Sequence, residues 1–200
     1  MLFRSPLVSG ARYEGWPAWT PDGTGLVFTS NRTGVSTLWR HDLRDGTERQ
    51  LVRFSDFDSP TRLLAQPAVS PDGRTVAYVF WRRDDLRASE ICVVDIESGA
   101  VRTISGEPAL ADRGPAWSPD GAWIAFASER SGWYEVHLIR PDGSDARQLT
   151  ADGADFHQLA WSPDGTRLAA SRCRRGRFDL VAIDAATGAV EVLEIGRAHV

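Results

Sequence analysis

Short apolar segments alternate with polar turns along the chain. Four such segments lie just after a glycine: Gly25–Phe28, Thr75–Tyr78, Trp123–Phe126 and Thr166–Ala169. After a polar loop, each is followed by a second segment: Leu38–His41, Ile91–Val94, Val136–Ile139 and Leu180–Ile183. Apolar runs of about four to eight residues bounded by turn residues are typical of β-strands, and the pattern has no helical period. The chain is therefore predicted to be all-β.

A pentapeptide turn precedes each first segment and marks an internal repeat. Its four copies are Trp19-Thr20-Pro21-Asp22-Gly23, Val69-Ser70-Pro71-Asp72-Gly73, Trp117-Ser118-Pro119-Asp120-Gly121 and Trp161-Ser162-Pro163-Asp164-Gly165. The successive glycines are 50, 48 and 44 residues apart. Periods of about 40 to 50 residues with four strands each are those of β-propeller blades.

The chemistry of this motif is that of a tight turn. Proline presets the backbone angle φ, aspartate bonds the backbone that follows it, and glycine takes a positive φ that other residues resist. The tryptophan is a large apolar body that we expect to wedge between neighbouring blades. Turn capping explains the four aspartates better than calcium binding does. The predicted structural signature is Trp19, Pro21, Asp22, Gly23, Pro71, Asp72, Gly73, Trp117, Pro119, Asp120, Gly121, Trp161, Pro163, Asp164 and Gly165.

The predicted fold is a β-propeller fragment of four consecutive four-stranded antiparallel blades that form an incomplete ring. We place the propeller at residues 6–193 and its blades at about 11–53, 60–105, 109–150 and 153–193. The second repeat departs most from the others, because Val69 replaces the tryptophan and Arg82 to Glu90 lengthens its middle loop.

The two ends of the chain differ in origin from the repeats. Residues 195–200 match the translation of a common sequencing adapter, and residues 1–5 match the translation of its opposite strand. Such end sequences are set aside before the fold is considered. We expect residues 1–5 and 195–200 to be adapter-derived, and the insert between them to have been cut from a longer gene.

Composition excludes several classes of protein. The formal net charge is −4, which argues against a nucleic-acid partner, although all 23 basic residues are Arg. No apolar run approaches the roughly 20 residues that span a bilayer. Cys92 and Cys173 fall at non-equivalent places in their repeats, so we expect two free thiols. These residues do not distinguish a cytoplasmic from a periplasmic location.

No motif predicts a catalytic, cofactor-binding or metal-binding residue. Gly-x-Ser-x-Gly, His-x-x-x-His, Cys-x-x-Cys and Gly-x-Gly-x-x-Gly are all missing from the sequence. The four arginines within Arg172–Arg177 fit either a solvated hairpin tip or a contact for an acidic partner. Trp81 and Trp133-Tyr134 lie on or beside middle loops, where they serve either as interface anchors or in packing between blades.

The Trp-Ser-Pro-Asp-Gly turn, followed by Ile-Ala-Phe and Ser-x-Arg-x-Gly, resembles the TolB-type propeller repeat. The same repeat builds the propellers of prolyl-oligopeptidase-type serine peptidases, including acylaminoacyl-peptidase-like members. The segment Ser131–Leu138 and the long loop from Trp81 to Glu90 look more like the peptidase propellers.

The resemblance implies two alternative functions. In the first, the chain is a non-catalytic part of the propeller that gates substrate access to the hydrolase domain of the same parent chain. In the second, it is a TolB-like propeller that binds protein partners in the bacterial envelope. The gene sequence beyond Leu193 separates the two, since a Gly-x-Ser-x-Gly motif there would identify a hydrolase domain.

An unclosed array of blades is predicted to self-associate. It exposes the apolar packing surface that a further repeat would cover, and it leaves strand edges free for pairing with another chain. Sedimentation of the segment from Pro6 to Leu193 over a concentration series should show this association. A monodisperse monomer with one sharp unfolding transition would instead favour a closed four-bladed ring.

Overall fold

The computed structural model describes residues 13–53, 62–82, 88–106 and 110–193. Within these ranges all the regular secondary structure is β-strand, and the strands form four separate four-stranded sheets. The predicted adapter-derived residues 1–5 and 195–200, and part of the long loop of the second repeat, lie outside the described residues.

Each sheet is one blade built from four consecutive antiparallel strands. The strands of blade 1 are β1 (Glu14–Trp19), β2 (Gly25–Ser30), β3 (Thr37–Asp42) and β4 (Glu48–Gln50). Those of blade 2 are β5 (Arg62–Val69), β6 (Thr75–Arg82), β7 (Ser89–Asp95) and β8 (Val101–Thr103). Blade 3 contains β9 (Asp112–Trp117), β10 (Ile124–Ser128), β11 (Glu135–Ile139) and β12 (Arg147–Gln148). Blade 4 contains β13 (Asp155–Trp161), β14 (Arg167–Arg174), β15 (Arg177–Asp184) and β16 (Val190–Val192). The predicted all-β architecture of four four-stranded blades is confirmed.

The hydrophobic core lies between blades and not within them. The first strands of consecutive blades contact one another, so they line the inside of the arc, and the fourth strands lie outside. Three apolar clusters fill the three junctions between blades. Their fully buried members include Val27, Leu38 and Tyr78 at the first junction, Val79, Ile124 and Phe126 at the second, and Val136, Phe156 and Leu168 at the third.

The signature tryptophans cross two of these junctions. The indole Nε1 of Trp117 donates a 3.0 Å hydrogen bond to the carbonyl oxygen of Ala68 in blade 2. Trp161 makes the same bond, also 3.0 Å, to Ala116 in blade 3. Each acceptor immediately precedes the signature of its own blade, so the tryptophan fixes the register of one blade against the previous one.

A second set of polar contacts ties the outer edges of the blades together. Arginines at equivalent positions of β8 and β12 donate to carbonyl oxygens in the turn of the next blade. Arg102 Nη2 lies 3.3 Å from Pro141 O, and Arg147 Nη2 lies 3.4 Å from Ala185 O. In β4, Arg49 makes the corresponding contact with Ile96 O. Blade 4 carries Glu191 at this position, facing Ala182 in the ladder.

The two end blades leave their outward faces uncovered. Trp19 is 63% exposed on blade 1, whereas Trp117 and Trp161 are half-buried. On the opposite face of blade 4, Phe178 is 69% exposed. These faces therefore do not cover each other, and the four blades form an open arc, as the sequence predicts.

The three signature tryptophans provide a matched test of this packing. Trp161→Ala removes a half-buried indole and its interblade hydrogen bond, so we expect a loss of about 3 kcal/mol in the free energy of unfolding. Trp19→Ala removes the same side chain where no blade covers it, so we expect a change within about 0.5 kcal/mol. Urea denaturation measures both values. Equal losses at the two positions would contradict the proposed role of the interblade contact.

Candidate functional site

The four signature turns are built alike. In blade 3, the Ser118 hydroxyl donates to Asp120 Oδ1 at 2.5 Å, and the Ala122 N–H donates to the same oxygen at 3.0 Å. Gly121 adopts φ 70°, in the left-handed region that glycine enters at low cost. The same two contacts to a carboxylate recur at Asp22, Asp72 and Asp164. These residues close hairpins, and the turns of blades 3 and 4 lie side by side, since Asp120 and Asp164 line the same cavity.

The hydrogen bonds of these turns stabilise the charged form of the aspartates. The hydroxyl of Thr20 is the main cause that lowers the pKa of Asp22 from 3.8 to about 2. The hydroxyl of Ser162 does the same to Asp164, whose pKa also falls to about 2. The pKa values of Asp72 and Asp120 are lowered as well, mainly by Ser70 and Ser118. Each of these carboxylates is thus bound within its own turn by a neighbouring hydroxyl.

A backbone irregularity recurs on the inner strands, where sequence reasoning missed it. Each of β1, β5, β9 and β13 has a bulge, with a residue in the left-handed region. These residues are Trp16 (φ 52°), Gln66 (φ 52°), Gly114 (φ 59°) and Gln158 (φ 55°). Non-glycine residues in this region carry strain, and such bulges redirect side chains next to functional sites. The available signal was a proline directly after three of the four residues.

The bulges of blades 2 to 4 border a cleft on the inside of the arc. Its volume is about 430 Å³. Its polar lining residues are Gln66, Arg113, His157, Gln158 and Ser171. The others are Gly114, Ala127, Phe156, Leu159 and Phe178. Gln66 bridges two blades here, since its Oε1 accepts a 3.0 Å hydrogen bond from the N–H of Gly114.

Tyr134 packs against two residues that line this cleft, Arg113 and His157. The Arg113 guanidinium lies 4.4 Å from the centre of the Tyr134 ring, and the His157 ring centre is 6.3 Å from it. The backbone of Tyr134 is tied to β13, because its N–H donates to Asp155 Oδ1 at 3.0 Å and its carbonyl accepts from Phe156 at 2.8 Å. Burial raises the pKa of Tyr134 to about 12 and lowers the pKa of His157. Both rings are therefore uncharged near neutral pH.

Comparison with known proteins gives the family. The TolB beta propeller domain matches residues 58–199. The chain belongs to this family.

Two curated relatives connect the TolB-type propeller to different kinds of protein. The TolB homologue of Chlorobium luteolum is 32% identical over 166 residues, which are 83% of this chain and 35% of the relative. The uncharacterized peptidase YuxL of Bacillus subtilis is 33% identical over 110 residues, which are 52% of this chain and 16% of the relative. The chain thus spans only a minor part of the curated relatives it matches.

Solved structures agree on the TolB-type fold. A puromycin-hydrolyzing peptidase from Mycobacterium tuberculosis has a TM-score of 0.74 and 21% identity. The match covers 95% of this chain and 32% of the peptidase. At this identity the likeness concerns the fold of the propeller.

Buried carboxylates hold the start of two blades of this TolB-type propeller. Asp112 Oδ2 accepts from the Ser105 hydroxyl at 2.5 Å and from Arg130 Nη2 at 3.0 Å. Glu135 accepts from the Thr150 hydroxyl at 2.5 Å and from the Gly153 N–H at 2.7 Å. Both acids are buried, and the contacts join a blade to the connection before or after it.

The arginine-rich hairpin of blade 4 divides into two parts. Arg172 is buried and lies 2.9 Å from both Asp152 and Asp179, so it belongs to the fold and is not part of a solvated tip. Arg175 and Gly176 form the turn itself, with φ values of 50° and 77°. Arg174, Arg175 and Arg177 are exposed. The side chain of Trp133 is exposed too, whereas Tyr134 is half-buried against blade 4.

The remaining titratable groups do not form a further centre. Cys92 and Cys173 are not joined by a disulfide, as predicted, and Cys92 Sγ lies 3.4 Å from Thr103 Oγ1. His137 is buried, its Nδ1 lies 3.1 Å from Glu135 O, and burial lowers its pKa. Among the described residues there is no group of three or more His, Cys, Asp or Glu side chains suited to a metal ion. Across the same part of the chain, no helix has the length and apolar character needed to cross a membrane.

The low pKa values of the turn aspartates predict that the fold loses stability at acidic pH. The pKa of Asp164 is lowered from 3.8 to about 2 in the folded chain. Its contribution to the stability of the fold is therefore fully present at pH values above its unfolded pKa. That contribution is lost as the pH falls through this window, so the urea midpoint should decrease from about pH 5 to about pH 2.

Two substitutions test whether Asp164 and its hydrogen bond from Ser162 cause this pH dependence of the urea midpoint. Asp164→Asn should make the decrease shallower, because one titrating group is gone. Ser162→Ala removes the largest contribution to the low pKa, so the folded pKa moves towards the unfolded value and the decrease in the urea midpoint should also become smaller. A urea midpoint whose pH dependence is unchanged in both variants would contradict this assignment.

Proposed function

We propose that this chain is a non-catalytic segment of the propeller that gates access to a serine hydrolase domain of the same parent chain. The observation that carries the proposal is the cleft bordered by the inner-strand bulges of blades 2 to 4, which combines polar and apolar lining residues. A channel along the propeller axis would pass this wall. The 33% identity with the YuxL peptidase over 110 residues supports this choice.

The inner wall has the properties that a selective passage requires. Its backbone bulges are fixed by hydrogen bonds between blades, as at Gln66 and Gly114. Its side chains present amide, imidazole and guanidinium groups that hydrogen-bond an extended peptide. A rigid opening of this kind admits unfolded peptides and excludes folded proteins by size, while the reaction takes place elsewhere.

The proposal extends to the organisation of the chain. We assign the propeller to residues 6–193, with blades at about 11–53, 60–105, 109–150 and 153–193 and their signature turns as structural residues. We assign residues 1–5 and 195–200 to adapter sequence. The partner of the arc is then the hydrolase domain of the parent, with no role for nucleic acid.

A TolB-like propeller that binds envelope proteins is the second candidate function. It is favoured by the extent of the match to the Chlorobium luteolum TolB homologue, which covers 83% of this chain against 52% for the YuxL peptidase. In that case the exposed Trp133 and the cleft would contact a protein partner, and no hydrolase would follow.

The coding sequence beyond Leu193 decides between the two. A Gly-x-Ser-x-Gly motif on a strand-to-helix turn within a few hundred residues would support the peptidase, and a stop codon after one or two more blades would contradict it. The chain by itself should not hydrolyse peptidyl reporters. Turnover by this chain that a serine-directed inhibitor abolishes would overturn its assignment as a non-catalytic segment.

Gating itself is tested in the parent protein. Gln158→Trp narrows the inner wall, so the kcat/KM for a long peptide should fall several-fold while that for a small ester is unchanged. Arg174→Trp adds the same bulk at an exposed hairpin position and should change neither value. An equal effect of Gln158→Trp on both substrates would contradict a gating role.

A further inference from the structure

Arg113 departs from the pattern of the repeat. The equivalent positions of the inner strands, just before each bulge residue, are Gly15, Ala65 and His157. A position that the fold requires recurs from blade to blade, as the signature turns do. The arginine of blade 3 is therefore not explained by blade architecture.

The Arg113 guanidinium has no anionic partner in the part of the chain that the structure describes. Its Nε is buried and has no hydrogen-bond acceptor. Other arginines of the arc are paired with carboxylates: Arg32 with Glu14 and Glu48, Arg130 with Asp112, and Arg172 with Asp152 and Asp179. A partly desolvated cation without a counter-charge is costly, and an incoming anion would relieve this cost.

The cleft around Arg113 matches one kind of ligand group. Arg113 is its single fixed cation, and no carboxylate is among its lining residues. The nearby Asp155 and Glu129 accept hydrogen bonds from the backbone N–H groups of Tyr134 and Ala111. The side-chain amide of Gln158 and the hydroxyl of Ser171 supply further donors, beside apolar surface from Leu159.

We propose that this cleft binds the carboxylate of a peptide, with Arg113 as the group that recognises it. The planar fork of a guanidinium matches both oxygens of a carboxylate. The ring of Tyr134 holds the guanidinium in place before the ligand arrives, which reduces the entropy lost on binding. The Leu159 side chain contacts the aliphatic part of the peptide. The inference holds for a substrate and for a partner alike, so it does not rest on a hydrolase domain.

A carboxylate fits better than a phosphate. A dianionic phosphate is usually held by several cations or by a row of backbone N–H groups. This cleft offers one guanidinium and neutral donors, and the N–H of Gly114 already donates to Gln66.

The test compares two peptides that differ in one group. N-acetyl-trialanine with a free C-terminal carboxylate and the same peptide with a C-terminal amide are titrated into the full chain, followed by NMR amide shifts. We expect the acid to bind about tenfold more tightly than the amide, the value of about one charge-assisted contact. Shifts should concentrate at Tyr134, Gln158 and Ser171.

Three variants test whether Arg113 causes the preference for the peptide acid over the amide. Arg113→Gln should bring the two affinities within about twofold of each other, and Arg113→Lys should give an intermediate preference because it keeps charge but loses the fork. Arg174→Gln makes the same charge change at an exposed hairpin position and should keep the full preference. Unchanged thermal midpoints for all three variants show that folding is intact.

Several outcomes would overturn the proposal. These are equal binding of acid and amide by the wild-type chain, no binding of either, and a preference that survives in Arg113→Gln. Inorganic phosphate that displaces the peptide more effectively than acetate would also overturn the assignment to a carboxylate. If Arg113→Gln does not fold, the Arg113→Lys comparison decides on the same criteria.

Discussion

Burial of apolar side chains between neighbouring blades is the interaction on which the arc depends. A four-stranded sheet has two faces and no interior, so a blade acquires a core only where another blade covers it. Val79 of blade 2 and Phe126 of blade 3 are fully buried in this way. The polar contacts of Trp117 and Trp161 then set the register of surfaces that packing alone would allow to slide.

This constraint distinguishes the residues that the blades need for folding from those that are available for binding a ligand. Residues needed for turns or junctions recur at each repeat, as the capped aspartates do. Each inner strand carries a bulge, and bulges redirect side chains next to functional sites. Arg113 and His157 lie on these strands, beside Tyr134, which immediately precedes β11. The equivalent positions of blades 1 and 2 hold Gly15 and Ala65. In a repeat protein, a residue that differs between the copies is therefore a better indicator of a binding site than a residue that all copies share.

Much of the blade architecture is predictable from sequence because its determinants are local. Proline, aspartate and glycine define a turn within a few residues, and the spacing of the turns defines the blades. The apolar segments after the turns correspond to the second strands of the sheets. These features require no knowledge of which residues meet across the structure.

The site depends on contacts that have no local signature. The cleft combines residues about 90 positions apart, from Gln66 to Gln158. Arg172 is paired with Asp152, in the connection before β13, and with Asp179 in β15, and a run of arginines in the sequence looks the same whether exposed or paired. Likewise, Trp19 and Trp161 share one motif but differ in burial, because only one of them has a preceding blade against it.

The outer arginine contacts have a consequence for how such arrays grow by duplication. Arg49, Arg102 and Arg147 each donate to a carbonyl oxygen of the following blade. Blades 1 to 3 can therefore replace one another as the donor of this contact. Blade 4 has Glu191 there, which lies 3.6 Å from Arg167 of the same blade and cannot donate a hydrogen bond to a carbonyl oxygen. A tandem copy of blade 4 would thus lack this contact with the blade that follows it.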